Sequence, residues 1–112
     1  MLSKKYRMKK NSQFDYIFKN GKTIKSEKLI IFYSKSKSKT PKIGIVVSKK
    51  IGKSVTRNHV KRLIRESIQK NMQLMKNNLN YIFVARQGIE STTYNEINTT
   101  ILNLITKIEL ND

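Results

Sequence analysis

Residues 48–67 read SKKIGKSVTRNHVKRLIRES, and the layout of this stretch decides how the rest of the chain is arranged. On a helix turning about 100° per residue, Arg57, Lys61 and Arg65 fall one turn apart on one side, with Asn58 and Arg62 on the adjoining arc. Val60, Leu63, Ile64 and Ile68 recur at the spacing of a helix whose apolar stripe lies on a core. The helix is therefore docked by one side and charged on another. Ahead of it, Lys49, Lys50 and Lys53 crowd around Gly52, and Ser54 or Thr56 is expected to supply the N-cap. Glu66 is the only acid between Glu27 and Glu90, so the balancing carboxylates of an ordinary solvated face are missing. Arginine with asparagine suits phosphates and base edges.

Charge supports the same reading across the chain. The 112 residues hold 24 Lys plus Arg against 7 Asp plus Glu, a formal charge of +17. A polyanion is the partner such a field selects. Twenty of the 24 basic residues lie at or before Arg65, facing only Asp15 and Glu27, whereas four basic and five acidic residues follow from Glu66 onward. The first half carries the binding field and the second half mainly builds the fold. The length suits a single domain over residues 1–112 that binds such a polyanion, with 1–11 as a basic flexible arm. No cysteine is present, which excludes disulfides and thiolate metal sites and fits a reducing, cytoplasmic interior. Neither a membrane nor DNA is expected as a partner: no apolar run approaches the roughly 20 residues of a span, and no short helix and turn precede the basic helix.

Working outward, Ser12 with Asp15 forms a capping-box-like opening to a short helix with Phe14, Ile17 and Phe18 on its apolar side. Asn20-Gly21 is expected to close it in a left-handed cap. Residues 29–33, LIIFY, read as a strand with Leu29, Ile31 and Tyr33 on one face and Ile30 and Phe32 on the other. Both faces are apolar, so one packs under helices and the opposite one needs further cover or a flat ligand such as a base. Residues 34–40, SKSKSKT, are expected as a mobile hairpin loop, with residues 43–47 as the return strand and Gly44 marking a bulge or a close backbone approach. Residues 81–85, YIFVA, form another buried strand, and a last helix opening near residues 91–93 carries Ile97, Ile101, Leu104, Ile105 and Ile108 in a core-facing stripe. The expected fold is a small single-domain α+β sandwich, helices packed on a mixed sheet, in the order helix, two or three strands, helix, strand, helix.

Chemistry is sparse. Catalysis by side chains needs placed proton carriers, a nucleophile or metal ligands. No thiol exists, and His59 is the only histidine, without a carboxylate near it in sequence to orient it. No phosphate-binding glycine loop is present. The sequence displays a binding protein, with no catalytic residue and no metal ligand set of its own.

With these residues in place, the chain resembles the protein component of bacterial ribonuclease P over nearly its whole length. The resemblance rests on Phe14 and Phe18, the LIIFY strand, Ser48, Lys49, Lys50 and Gly52, the Arg57-Asn58-His59 signature, the Lys61, Arg62 and Arg65 continuation, and the YIFVAR strand. At the third signature position the family usually has arginine, and the imidazole of His59 lacks the guanidinium's fork of donors. The resemblance implies an endoribonuclease subunit in tRNA 5′ processing whose catalytic groups and Mg²⁺ sit mainly on an RNA subunit. It implies Arg57, Asn58, His59, Lys61, Arg62 and Arg65 as contacts to that catalytic RNA. Phe14, Phe18, Phe32, Ser48, Lys49, Lys50 and Lys53 are implied as contacts to the single-stranded 5′ leader of precursor tRNA. A left-handed crossover between parallel strands is implied as well. A structural RNA-binding protein of ribosomal type would share the charge and size, but has no need of a leader groove.

Overall fold

Strand β4 (Leu79–Ala85) forms the middle of the molecule, because Leu79, Tyr81, Ile82, Phe83 and Ala85 are all buried and point to both of its faces. The structure is a computed structural model describing residues 4–37, 39–76 and 78–111. Residues 1–3 of the expected arm, Ser38 of the basic loop, Asn77 and Asp112 lie outside the described residues. Helices α1 (Asn11–Asn20), α2 (Ser54–Lys70) and α3 (Tyr94–Asn111) pack on one mixed sheet in which β1 (Lys22–Lys25), β2 (Leu29–Lys35), β3 (Ile43–Val46) and β4 run in the order β1-β2-β4-β3. This is the α+β architecture expected from the sequence, with three strands between the first two helices.

The expected hairpin between β2 and β3 is corrected. β4 lies between them, antiparallel to β2 and parallel to β3, so the basic loop connects strands that do not pair. A strand apolar on both faces needs hydrogen-bonded neighbours along both edges, and a β2–β3 hairpin would leave β4 at a rim. The two faces follow from the register. Ile31, Phe83 and Ile45 are paired in one row, and Phe32, Ile82 and Gly44 in the next, with side chains on the opposite side.

The first face carries the main core. Val60, Ile64 and Ile68 of α2 and Ile97, Ile101, Leu104, Ile105 and Ile108 of α3 are buried against Leu29, Ile31, Tyr81 and Phe83. Each such side chain contributes about 1.5 to 3 kcal/mol by leaving water. Between the two helices Ser67 donates its hydroxyl to Asn98 Oδ1 at 2.8 Å, and Asn71 Nδ2 donates to the same oxygen at 2.9 Å. These bonds satisfy polar groups that burial would otherwise leave at a cost.

Several local expectations are also revised. α2 begins at Ser54 itself, with Lys53 in the cap position and no side-chain cap, and α1 begins at Asn11 after Lys10, again without one. Gly21 is extended, at φ −78° and ψ 164°, and not left-handed. It is needed for space, since a Cβ there would lie 2.6 Å from the Ile17 carbonyl oxygen and 2.8 Å from that of Tyr33. The arm expected to be loose is fastened over its described part. Arg7 bridges Ile43, the Met8 amide donates to the Ile43 carbonyl at 2.9 Å, and the Met8 side chain is buried with Ile17 and Ile82. One apolar residue within a run of cations thus covers the open edge of β3.

Candidate nucleic-acid interface

The second face of the sheet is only partly covered. α1 seats Ile17 on Ile82, and its Phe14 and Phe18 stand on one flank of the helix. Phe18, 41% exposed, meets Phe32 edge to face with ring centroids 4.9 Å apart. Phe14 lies across Gly44, where a Cβ would come within 2.5 Å of Cε1 of the ring. The expected close backbone approach at Gly44 is therefore an aromatic ring resting on bare backbone. Beyond the three rings, Ile30, Val46 and Val84 form a half-buried apolar floor.

That floor runs into a cavity of about 480 Å³ lined by Ile30, Val84, Ser48, Lys50 and Arg86 among others, with one acid, Glu27, whose carboxylate sits 3.7 Å from Lys28 Nζ. The result is a trough with aromatic edges at one end and cations at the other. Ser48 and Lys50 line it. Lys49 and Lys53 are exposed and do not, because Lys49 opens a single 3₁₀ turn and Lys53 caps α2. Two residues not singled out in the sequence join the trough. Arg86 follows β4 directly, and its guanidinium donates to the Ser26 carbonyl at 2.8 Å. Lys25 shares a paired row and a face with Ile30, Val84 and Val46. Strand alternation would have found Lys25 had β1 been recognised; the only signal for Arg86 was its place at a strand's end.

The basic helix stands beside this trough. Arg57 is half-buried and donates Nε to the Gly52 carbonyl at 3.2 Å, which ties the helix start to the lysine-rich turn. Asn58 and His59 are exposed, and Arg62 Nη2 donates to His59 Nδ1 at 3.4 Å while its Nε sits 3.9 Å from Glu66. Arg62 is thus partly neutralised, whereas Arg65, one turn on from Lys61, stands beside β3. Arg65 lines a cavity of about 180 Å³ with Phe14, Gly44, Ile45 and Arg7. The two residue sets kept apart in the sequence therefore meet at Arg65.

An apolar, ring-edged trough flanked by cations binds unstacked bases by their faces and phosphates by charge, without a sequence code. Fold and surface together define a small basic α+β protein that binds RNA. A family model described as Ribonuclease P matches residues 2–109. The "Ribonuclease P protein component" of Clostridium kluyveri is 40% identical over 107 residues, covering 94% of this chain and 96% of that protein. Its counterpart in Macrococcus caseolyticus is 44% identical over 102 residues, covering 89% and 87%. Among solved structures, the Staphylococcus aureus RNase P protein superposes with a TM-score of 0.85 at 30% identity, covering 92% of this chain and 94% of that one. The Thermotoga maritima protein gives 0.83 at 26% identity, covering 90% and 96%. The chain belongs to the ribonuclease P protein family, the protein component of an RNA-containing endoribonuclease that processes tRNA 5′ ends.

Proposed function

We propose that this chain holds the catalytic RNA of ribonuclease P along the α2 side of the molecule and the single-stranded 5′ leader of precursor tRNA in the trough beside α1. Arg57, Asn58, His59, Lys61 and Arg62 serve the first contact. Phe14, Phe18, Phe32, Ser48, Lys50, Lys25 and Arg86 serve the second, with Lys49 and Lys53 at its rim. Arg65, beside both Phe14 and the basic flank, links the two. The observation that carries this reading is the half-covered second sheet face, where three phenyl rings border an apolar floor that ends among cations. Leaders vary in sequence, and such a surface accepts any base that can stack.

The described residues contain no group of three or more His, Cys, Asp and Glu side chains able to hold a metal. In this reading Mg²⁺ is held mainly by the RNA subunit, and the chain contributes binding and orientation. The cysteine-free sequence supports a cytoplasmic location, and no described helix is long and apolar enough to cross a membrane.

The test is reconstitution with the cognate catalytic RNA and end-labelled precursor tRNAs carrying no leader or about eight leader nucleotides. The protein is expected to promote formation of the mature 5′ end and to tighten binding of the long-leader substrate selectively. Equal tightening of both substrates would refute the trough as the leader site.

A further inference from the structure

The flank of α1 turned away from Phe14 and Phe18 carries Gln13, Tyr16 and Asn20, on successive turns. Two cavities lie along it. One, of about 400 Å³, is lined by Gln13 and six cations, among them Lys9, Lys10 and Lys42. The other, of about 300 Å³, is lined by Tyr16, Asn20, Lys22 and Lys35 together with the end of β2. The two are joined through the sheet, because the Lys42 amide donates to Asn80 Oδ1 at 3.2 Å and Asn80 is paired with Ser34 next to Lys35. Among the described residues no carboxylate lines either cavity. Asp15, the only acid of α1, is absent from both linings.

These cations are not loosely spread. The Arg7–Ile43 bridge and the buried Met8 fix the backbone that carries Lys9 and Lys10, and Lys42 Nζ donates to the Lys5 carbonyl at 2.6 Å. Holding like charges together within a Debye length of about 8 Å opposes folding unless a polyanion neutralises them. The flank offers one exposed ring, Tyr16 at 59%, and two amide side chains rather than a row of rings. This is the pattern for backbone and 2′-hydroxyl contacts, not for splayed bases.

We infer that this flank is a second RNA surface, distinct from the leader trough, and that it takes the phosphate backbone of a double-helical RNA segment. The inference rests on the RNA-binding reading above and adds a third contact to it. It places α1 between two RNA elements, one single-stranded and one helical.

The experiment uses the full chain, a blunt 20-base-pair RNA duplex and a 20-nucleotide oligouridylate, with affinities measured by fluorescence anisotropy from 50 to 200 mM salt. The Lys9→Ala/Lys10→Ala/Lys35→Ala variant changes exposed side chains only, and circular dichroism melting checks that it stays folded. Losing three phosphate contacts should lower the log–log salt slope for the duplex by about 2 to 3 and reduce the affinity change across that range by about 40-fold. Oligouridylate binding should keep its slope within one unit, whereas Phe18→Ala should weaken oligouridylate at every salt concentration, leave duplex affinity unchanged and move neither slope. An unchanged duplex slope, or equal losses for both probes, would overturn the inference, as would a loss confined to oligouridylate, which would make the flank an extension of the single-strand path. Reconstituted processing by the wild-type chain is the control for the underlying reading. If processing works and the duplex slope is unmoved, only the second surface fails.

Discussion

Replacing Gly44 with alanine should break the seat of Phe14 and, with it, recognition of long leaders. A Cβ built at Gly44 lies 2.5 Å from Cε1 and 2.7 Å from Cζ of Phe14. Carbon atoms in contact sit about 3.5 to 4.0 Å apart, so the ring must withdraw by about 1 Å. α1 cannot simply shift to allow this, because Ile17 one turn further along is 1% exposed and locked on Ile82. Overpacking of this kind costs about 1 to 3 kcal/mol. For a domain of this size that is a fall in Tm of about 4 to 12 °C. In the Phe14→Ala background the obstructing ring is gone, and the same substitution should cost less than about 0.5 kcal/mol, giving a coupling energy of about 1 to 3 kcal/mol. Thermal melts of the four proteins measure the coupling, and binding of long-leader against leaderless precursor tRNA measures the function. Should Gly44→Ala destabilise equally in both backgrounds, Phe14 does not rest on the β3 backbone. If Gly44→Ala lowers Tm but leaves the leader preference intact, the ring is core and not part of the reading surface.

Arg57→Ala with Lys61→Ala should weaken assembly with the catalytic RNA for every substrate alike, since phosphate contacts carry no sequence information, whereas Arg65→Ala should weaken both assembly and leader-dependent binding because it borders the Phe14 cavity. Filter binding to the catalytic RNA, followed by substrate titration, separates the two; an Arg65→Ala variant identical to the double variant in leader preference would contradict the shared placement. Asn98→Leu should strand the buried Ser67 hydroxyl, leave the Asn71 amide only its bond to the Ser67 carbonyl and lower stability by about 1 to 3 kcal/mol, read by urea denaturation. Affinity for structured RNA should fall by about 10³ to 10⁵ between 50 and 200 mM monovalent salt if roughly 6 to 10 phosphates are contacted. A flat profile by equilibrium binding would remove the electrostatic account.

Wherever the period of apolar residues was unbroken, the fold was readable from the chain. The five-residue stripe of α3 and Val60, Ile64 and Ile68 of the α2 stripe are buried as their spacing requires, with Leu63 at its half-buried margin. Strand pairing was not readable, because the alternation within residues 29–33 and 43–47 says which side chains share a face and nothing about which strand lies alongside. The misread hairpin follows from that, since a loop rich in serine and lysine serves a crossover as well as a turn. Met8 was hidden by composition: a single apolar residue among cations has no period to reveal it, yet it settles where the amino-terminal segment runs. The aromatic half of the site was legible as Phe14, Phe18 and Phe32. Its cationic end was legible only in part, because Lys25 and Arg86 reach the trough through register and not through any local motif.

The central place of β4 also fixes the order in which this protein can mature on the ribosome. Before β4 is made β2 has only β1 beside it and β3 only the Arg7 bridge, α1 docks on Ile82 of the missing strand, and α2 rests on a sheet whose middle strand is still unmade. At synthesis rates of about 5 to 20 residues per second, the span from Val46 to Ala85 takes about 2 to 8 s. Throughout that interval most of the basic residues have been translated while the four-stranded sheet cannot be completed. The nascent chain is therefore a flexible polycation before it is a folded one, and whatever RNA it meets in those seconds meets it without the trough.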